Sequence, residues 1–160
     1  MDVKTRESGM PEEDVWAGFF DPESILRKLR LSPDFRDVVE FGCGYGTFTI
    51  PAAQIVSGTV YALDIEPEML AATKRKADAA GLGNVKTCLR DFVTDGTGLP
   101  EASVDYAMLL NILHAERPAV LLQEAFQYAA WPVDGYSASP GTVHRLGGRR
   151  WLSRLVAGHH

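Results

Sequence analysis

The chain has 160 residues, 46% hydrophobic and 23% charged, with a net charge of −5. That is enough for one domain with its own core, and the acidic balance argues against nonspecific affinity for nucleic acid. No apolar run reaches membrane-spanning length, no basic-plus-apolar leader opens the chain, and Cys43 and Cys88 lack paired or metal-type spacing, so a cytoplasmic protein with no metal site is expected.

Residues 1–11 mix charges with Gly9 and Pro11 and predict a mobile lead-in. Trp16, Phe19 and Phe20 follow at helical spacing and give a short helix an aromatic face. Asp21-Pro22-Glu23 is a helix start with Asp21 as cap, and Ile25, Leu26 and Leu29 form its apolar stripe. Residues 38–41 read as a short buried parallel strand. A helix over 47–56 follows, with Pro51 near its first turn and Gly58 beyond its end. Strands are expected at 59–64, 84–90 and 104–110. Helices are expected at 67–80, between Pro67 and Gly81, and at 119–129. Alternation of strand and helix implies an α/β fold with a doubly wound parallel sheet.

The most informative stretch is V-V-E-F-G-C-G-Y-G, residues 38–46. A buried strand meets Glu40 and then Gly42, Gly44 and Gly46, followed by a helix, which is the front of a nucleotide-type βαβ unit. The third glycine comes one residue too early for the dinucleotide fingerprint G-x-G-x-x-G, and Glu40 would repel a pyrophosphate. The glycines let a ligand approach the main chain, the helix start suits a carboxylate, and Glu40 suits an ammonium. A ligand with an amino-acid tail satisfies both; the alternative is a glycine turn with no ligand. Asp64 closes the second strand 24 residues after Glu40, where an acid accepts from ribose hydroxyls; it would otherwise only charge the start of the next helix. Asp91-Phe92 is placed to meet an exocyclic amine and an aromatic base, or is a surface acid beside a core aromatic. Asn111 ends the fourth strand.

E-F-G-C-G-Y-G, A-L-D-I-E-P-E-M-L, R-D-F and L-P-E-A-S-V-D-Y-A-M-L-L-N-I-L-H occur in that order. Together they resemble the class I S-adenosylmethionine-dependent methyltransferases over residues 38–126. The resemblance implies a Rossmann-like fold, S-adenosyl-L-methionine as cofactor and a small-molecule methyl acceptor. It implies that Glu40 and the loop Gly42, Cys43, Gly44, Tyr45 and Gly46 hold the methionine part. Asp64 with Ile65 would hold the ribose and Asp91 with Phe92 the adenine, with Asn111 near the sulfonium. His114 is either a general base for the acceptor or a passive pocket wall. N-I-L-H differs from the N-P-P-Y-type sequence of nucleic-acid amino-methylating relatives, so no nucleic-acid partner is expected. Glu66 departs from the family, which often has a better helix cap there. A helical segment at 1–36 would be a lid or simply dock on the core, ahead of a cofactor-binding core at 37–126. A non-catalytic binder of the same cofactor and a nicotinamide-dependent oxidoreductase are the competing readings, the latter disfavoured by the glycine spacing and Glu40.

Residues 127–160 depart from that pattern. Twenty acids and twelve bases precede Gln127, whereas one acid and four arginines follow. The usual P-G-G turn and fifth strand are absent, leaving 142–146 as a candidate strand and 151–156 as a candidate helix. The tail is therefore expected to be out of frame or otherwise aberrant, or a natural short variant that packs differently. The sheet would lack its last strands, exposing Ala107, Met108, Leu109 and Leu110 on an apolar edge prone to self-association.

Overall fold

The computed structural model describes residues 12–110, 112, 117–128, 145–146 and 149–150. Four strands, β1 (Val38–Phe41), β2 (Val60–Asp64), β3 (Val85–Leu89) and β4 (Tyr106–Met108), form one parallel sheet in the order β3-β2-β1-β4. The helices are α1 (Glu13–Ala17), α2 (Pro22–Lys28), α3 (Thr49–Ile55), α4 (Pro67–Ala79) and α5 (Pro118–Tyr128). The chain steps outward from β1 to β3 and then returns to the other side of β1. The reversal of strand order therefore lies between β1 and β4, and its carboxyl-end crevice is where such sheets take ligands.

The pleat divides the core in two. Val38, Val60 and Met108 pack on one face with Leu26 of α2 and Phe48, Ala52 and Ala53 around α3. Val39, Phe41 and Leu63 pack on the other with Phe92, Val104 and Leu121 and Ala125 of α5. Alternation places Glu40 and Asp64 on the first of these faces, with Val38 and Val60. Both acids thus share the α3 side of the sheet.

Local signals set the helix ends. Asp21 caps α2 by accepting from the Ser24 N–H at 3.1 Å, with Pro22 in the first turn. α4 begins on Pro67 and ends on Gly81 at φ +66°, where the Leu82 N–H reaches the Ala77 carbonyl at 2.9 Å. Glu66 offers α4 no side-chain cap, as the sequence implied. α3 starts two residues later than expected, because residues 44–48 are spent on a turn leaving Gly46 at φ +78°.

Strand β4 is shorter than the apolar run 104–110 and stops at Met108. Among the described residues β4 pairs only with β1. Its side chains are not exposed as expected: Met108 is buried, and Ala107, Leu109 and Leu110 are half-buried against the two clusters. Of the tail, Arg145–Leu146 pairs antiparallel with Arg149–Arg150. The rest of 129–160, including the helix expected at 151–156, lies outside the described residues, as do residues 1–11.

Candidate functional site

The glycine loop leaves β1 at the strand-order switch. Gly42, Gly44 and Gly46 have φ of +75°, +54° and +78°, a left-handed region that costs other residues about 1–2 kcal/mol each. Space makes the demand stricter at the ends of the loop. A Cβ on Gly42 would lie 2.4 Å from Cδ1 of Ile112, and one on Gly46 would lie 3.0–3.3 Å from Thr73. The Gly42 and Cys43 N–H groups both donate to the Leu63 carbonyl, at 2.8 and 2.9 Å, which ties the loop to β2.

Asp64 is buried and braces the loop directly. Its Oδ2 accepts from the Gly44 N–H at 2.9 Å and its Oδ1 from the Glu66 N–H at 3.0 Å. Each carboxylate oxygen keeps a second lone pair, so these bonds leave capacity for a ligand hydroxyl. Burial pushes the Asp64 carboxyl above the usual range, against the opposing pull of the Glu66, Gly44 and Ile65 N–H groups and with the Glu66 charge adding to the rise. Ile65 follows, half-buried.

Glu40 is 2% exposed and accepts from the Thr49 hydroxyl of α3 at 2.5 Å. It lies beneath the loop, because it is an interior residue of β1 on the face that α3 covers. Burial pushes its carboxyl up to about 8, with the Thr49 hydrogen bond opposing and the charge of Asp64 adding to the shift. The Cys43 thiol is also buried, and desolvation followed by the charges of Glu40 and Asp64 holds it far above the ordinary thiol range. Cys43 is a small inert residue in a tight loop. Tyr45 is half-buried, its hydroxyl raised by desolvation and then by Glu12, Glu13 and Glu66.

Asp91 turns its carboxylate on its own chain, accepting from the Val93 N–H at 3.2 Å and from the Thr94 hydroxyl at 3.2 Å. Phe92 is buried, with its ring edge-on to Phe41 at 5.3 Å between centroids. Asn111 and His114 lie outside the described residues. Among the described residues no group of three His, Cys, Asp or Glu is placed to hold a metal ion, and no helix is long and apolar enough to cross a membrane.

Two residues of the site escaped the sequence reading. Thr49 holds Glu40, and Thr73 of α4 donates to the Gly44 carbonyl at 2.9 Å. Both are 0% exposed. The available signal for Thr73 was a hydroxyl inside the stripe Leu70-Thr73-Ala77, which is otherwise apolar.

Residues 38–130 match the methyltransferase-domain family, a span from the first residue of β1 to just past α5. Nocamycin O-methyltransferase of Saccharothrix syringae is 34% identical over 112 residues, 67% of this chain and 39% of that protein. Protein-L-isoaspartate O-methyltransferase of Pyrococcus horikoshii is 32% identical over 100 residues, 62% of this chain and 44% of that protein. Among solved structures, a SAM-dependent methyltransferase from Aquifex aeolicus superposes with a TM-score of 0.60 at 28% identity, covering 69% of this chain and 58% of that one. The chain thus spans about two fifths of the length of these two curated relatives. The matched family, the parallel sheet and the glycine loop at its switch point agree, and the chain belongs to the Rossmann-like, class I S-adenosylmethionine-dependent methyltransferases.

Proposed function

We propose that this chain binds S-adenosyl-L-methionine at the β1–α3 loop and transfers its methyl group to a small-molecule acceptor. The observation that carries this reading is the pairing of Glu40 and Asp64 on one sheet face, around a loop of three left-handed glycines. Two carboxyls and a close-approach backbone suit a cationic amino-acid tail and a sugar, and they oppose a pyrophosphate. The residues present therefore fit this cofactor.

The cofactor, when bound, supplies an activated methyl on a sulfonium. The chain's own residues supply placement and a dry pocket, which in-line methyl transfer needs more than a covalent nucleophile. Glu40 contributes a carboxyl beneath the loop that a bound ammonium would draw into its ionised form, and the loop backbone bears on the methionine part. Asp64, with Ile65 beside it, takes the ribose hydroxyls on its remaining lone pairs. Asp91 and Phe92 border the adenine, Asn111 the sulfonium, and His114 is the candidate base for the acceptor.

A small-molecule acceptor is supported by the net charge of −5 and by the relative named for nocamycin. The two thiols are free, Cys43 buried and Cys88 partly so, which supports a reducing, cytoplasmic setting. We assign 37–126 as the cofactor-binding core, with α1 as a lid beside the loop. Trp16 stacks edge-on with Phe20 at 5.1 Å, and Phe20 with Phe48 at 5.5 Å, while Glu13 pairs with Lys76 at 2.5 Å. A methyl-transfer assay over small-molecule extracts tests turnover. Binding without transfer under all conditions would leave the non-catalytic reading in its place.

A further inference from the structure

We propose that Thr73 is the positioning residue that sets the shape of the cofactor loop from below. The proposal rests on the reading of this loop as the S-adenosylmethionine site and adds a residue from α4 to it. Thr73 is 0% exposed and lies 29 residues from Gly44, whose carbonyl its hydroxyl holds at 2.9 Å. The same oxygen lies 3.6 Å from Sγ of Cys43. On the far side of Tyr45, Gly46 rests on this side chain. A Cβ there would stand 3.0 Å from Oγ1, 3.2 Å from Cγ2 and 3.3 Å from Cα of Thr73.

One side chain therefore meets three of the five loop residues 42–46 by three different means: a hydrogen bond, a sulfur contact and van der Waals contact. The consequence for binding follows from peptide geometry. A trans peptide is planar with its C=O and N–H on opposite sides. Drawing the Gly44 carbonyl toward α4 thus fixes the following N–H, that of Tyr45, in the direction away from α4. On the other flank, the Gly44 N–H is held by Asp64. The two peptides that meet at Gly44 are clamped between β2 and α4 before any ligand arrives, which lowers the ordering cost of binding.

Packing alone does not account for a hydroxyl here. Leu70, Ala72 and Ala77 are buried on the same helix and are apolar, and valine would fill the same volume. The Thr73 hydroxyl donates its one proton to the Gly44 carbonyl, with Cys43 Sγ beside the same oxygen.

The test compares Thr73→Val, which keeps the shape and removes the donor, with Thr73→Ser, which keeps the donor. Calorimetry with S-adenosylhomocysteine is expected to give about a tenfold weaker Kd for the valine variant and less than a threefold change for serine. KM for S-adenosylmethionine should rise with kcat unchanged. Amide exchange of the ligand-free protein provides a readout that does not depend on the cofactor assignment. Loop amides 43–46 should exchange about tenfold faster in Thr73→Val, with amides of β1 and β2 unchanged. If valine perturbs the whole fold, Thr73→Ala against Thr73→Ser gives the same contrast. Loop exchange at the wild-type rate in the valine variant overturns the proposal, as does a serine variant as impaired as valine. Altered loop exchange with no nucleoside binding even by the wild type would uphold the role of Thr73 and remove the cofactor reading.

Discussion

The Gly44 N–H donates to Oδ2 of Asp64 at 2.9 Å, so the acid that closes β2 also builds the loop that leaves β1. Its other oxygen holds the Glu66 N–H at the start of α4. Asp64 is therefore a structural hub, in addition to the ribose role proposed for it.

Asp64→Ala is expected to act on both levels. It strands two buried or half-buried N–H donors, which costs about 1–3 kcal/mol each, and it removes the ribose acceptor. Asp64→Asn keeps one acceptor oxygen and should be milder in stability while still losing about tenfold or more in cofactor affinity. Denaturant midpoints and calorimetry on the two variants check this. Equal stability in wild type and Asp64→Ala would show that the Gly44 bond contributes nothing.

Two left-handed glycines should respond differently to alanine. Gly46 and Gly81 share similar φ, +78° and +66°, but a Cβ on Gly46 meets Thr73 within 3.4 Å whereas one on Gly81 meets nothing within 4 Å. Gly81→Ala should cost only backbone strain, about 1–2 kcal/mol, and leave cofactor affinity unchanged. Gly46→Ala adds overpacking of about 1–3 kcal/mol and should abolish saturable binding. Similar thermal shifts for both variants would contradict the difference in packing.

The Glu40 carboxyl, pushed from 4.5 to about 8, gives the ligand-free protein a pH dependence. Between those values the folded state keeps a proton that the unfolded chain has released. Stability therefore falls as pH rises through this window and levels off above it. The slope is up to about 1.4 kcal/mol per pH unit for one proton; Asp64, shifted in the same direction, adds to it at the acid end. Glu40→Gln should flatten the curve between pH 6 and 8. Urea unfolding at intervals across this range is the measurement, and parallel curves for wild type and Glu40→Gln would refute the assignment. A cation bound beside Glu40 favours the ionised form, so affinity for the cofactor should increase toward pH 8 in the wild type and not in the variant.

Much of the sheet could be read before any coordinates because its signals are local and redundant. β1 and β2 are short apolar runs that carry an acid near or at their carboxyl ends, and α4 is bracketed by Pro67 and Gly81. The side on which a residue falls was less legible. The packing of the Phe92 ring edge-on to Phe41 could not be read in advance, since the pleat no longer fixes side-chain direction beyond the end of β3. The sequence placed Glu40 at a buried strand and suited it to an ammonium, but acids seldom occupy a strand interior, and only the packing of α3 across that face shows it closed off at 2% exposure. Thr49 and Thr73 went unread for a related reason. Their hydroxyls bond residues that are distant in sequence or on another element, and helix periodicity alone treats them as ordinary stripe positions.

Among the described residues β4 pairs only with β1, and its other flank is expected to accept a strand from a second copy of this chain. Its N–H and C=O groups on the side away from β1 offer a template for strand addition. Sedimentation equilibrium should show an average mass that increases with protein concentration. A constant monomer mass across the range would mean that the edge is covered.

The most direct test of the account is a calorimetric titration of the wild-type chain with S-adenosylhomocysteine, S-adenosylmethionine and NAD. Saturable heat with both sulfur nucleosides at one site per chain, absent in Glu40→Gln with Asp64→Ala, and none with NAD is the predicted result. Saturation by NAD with no response to either sulfur nucleoside would contradict it.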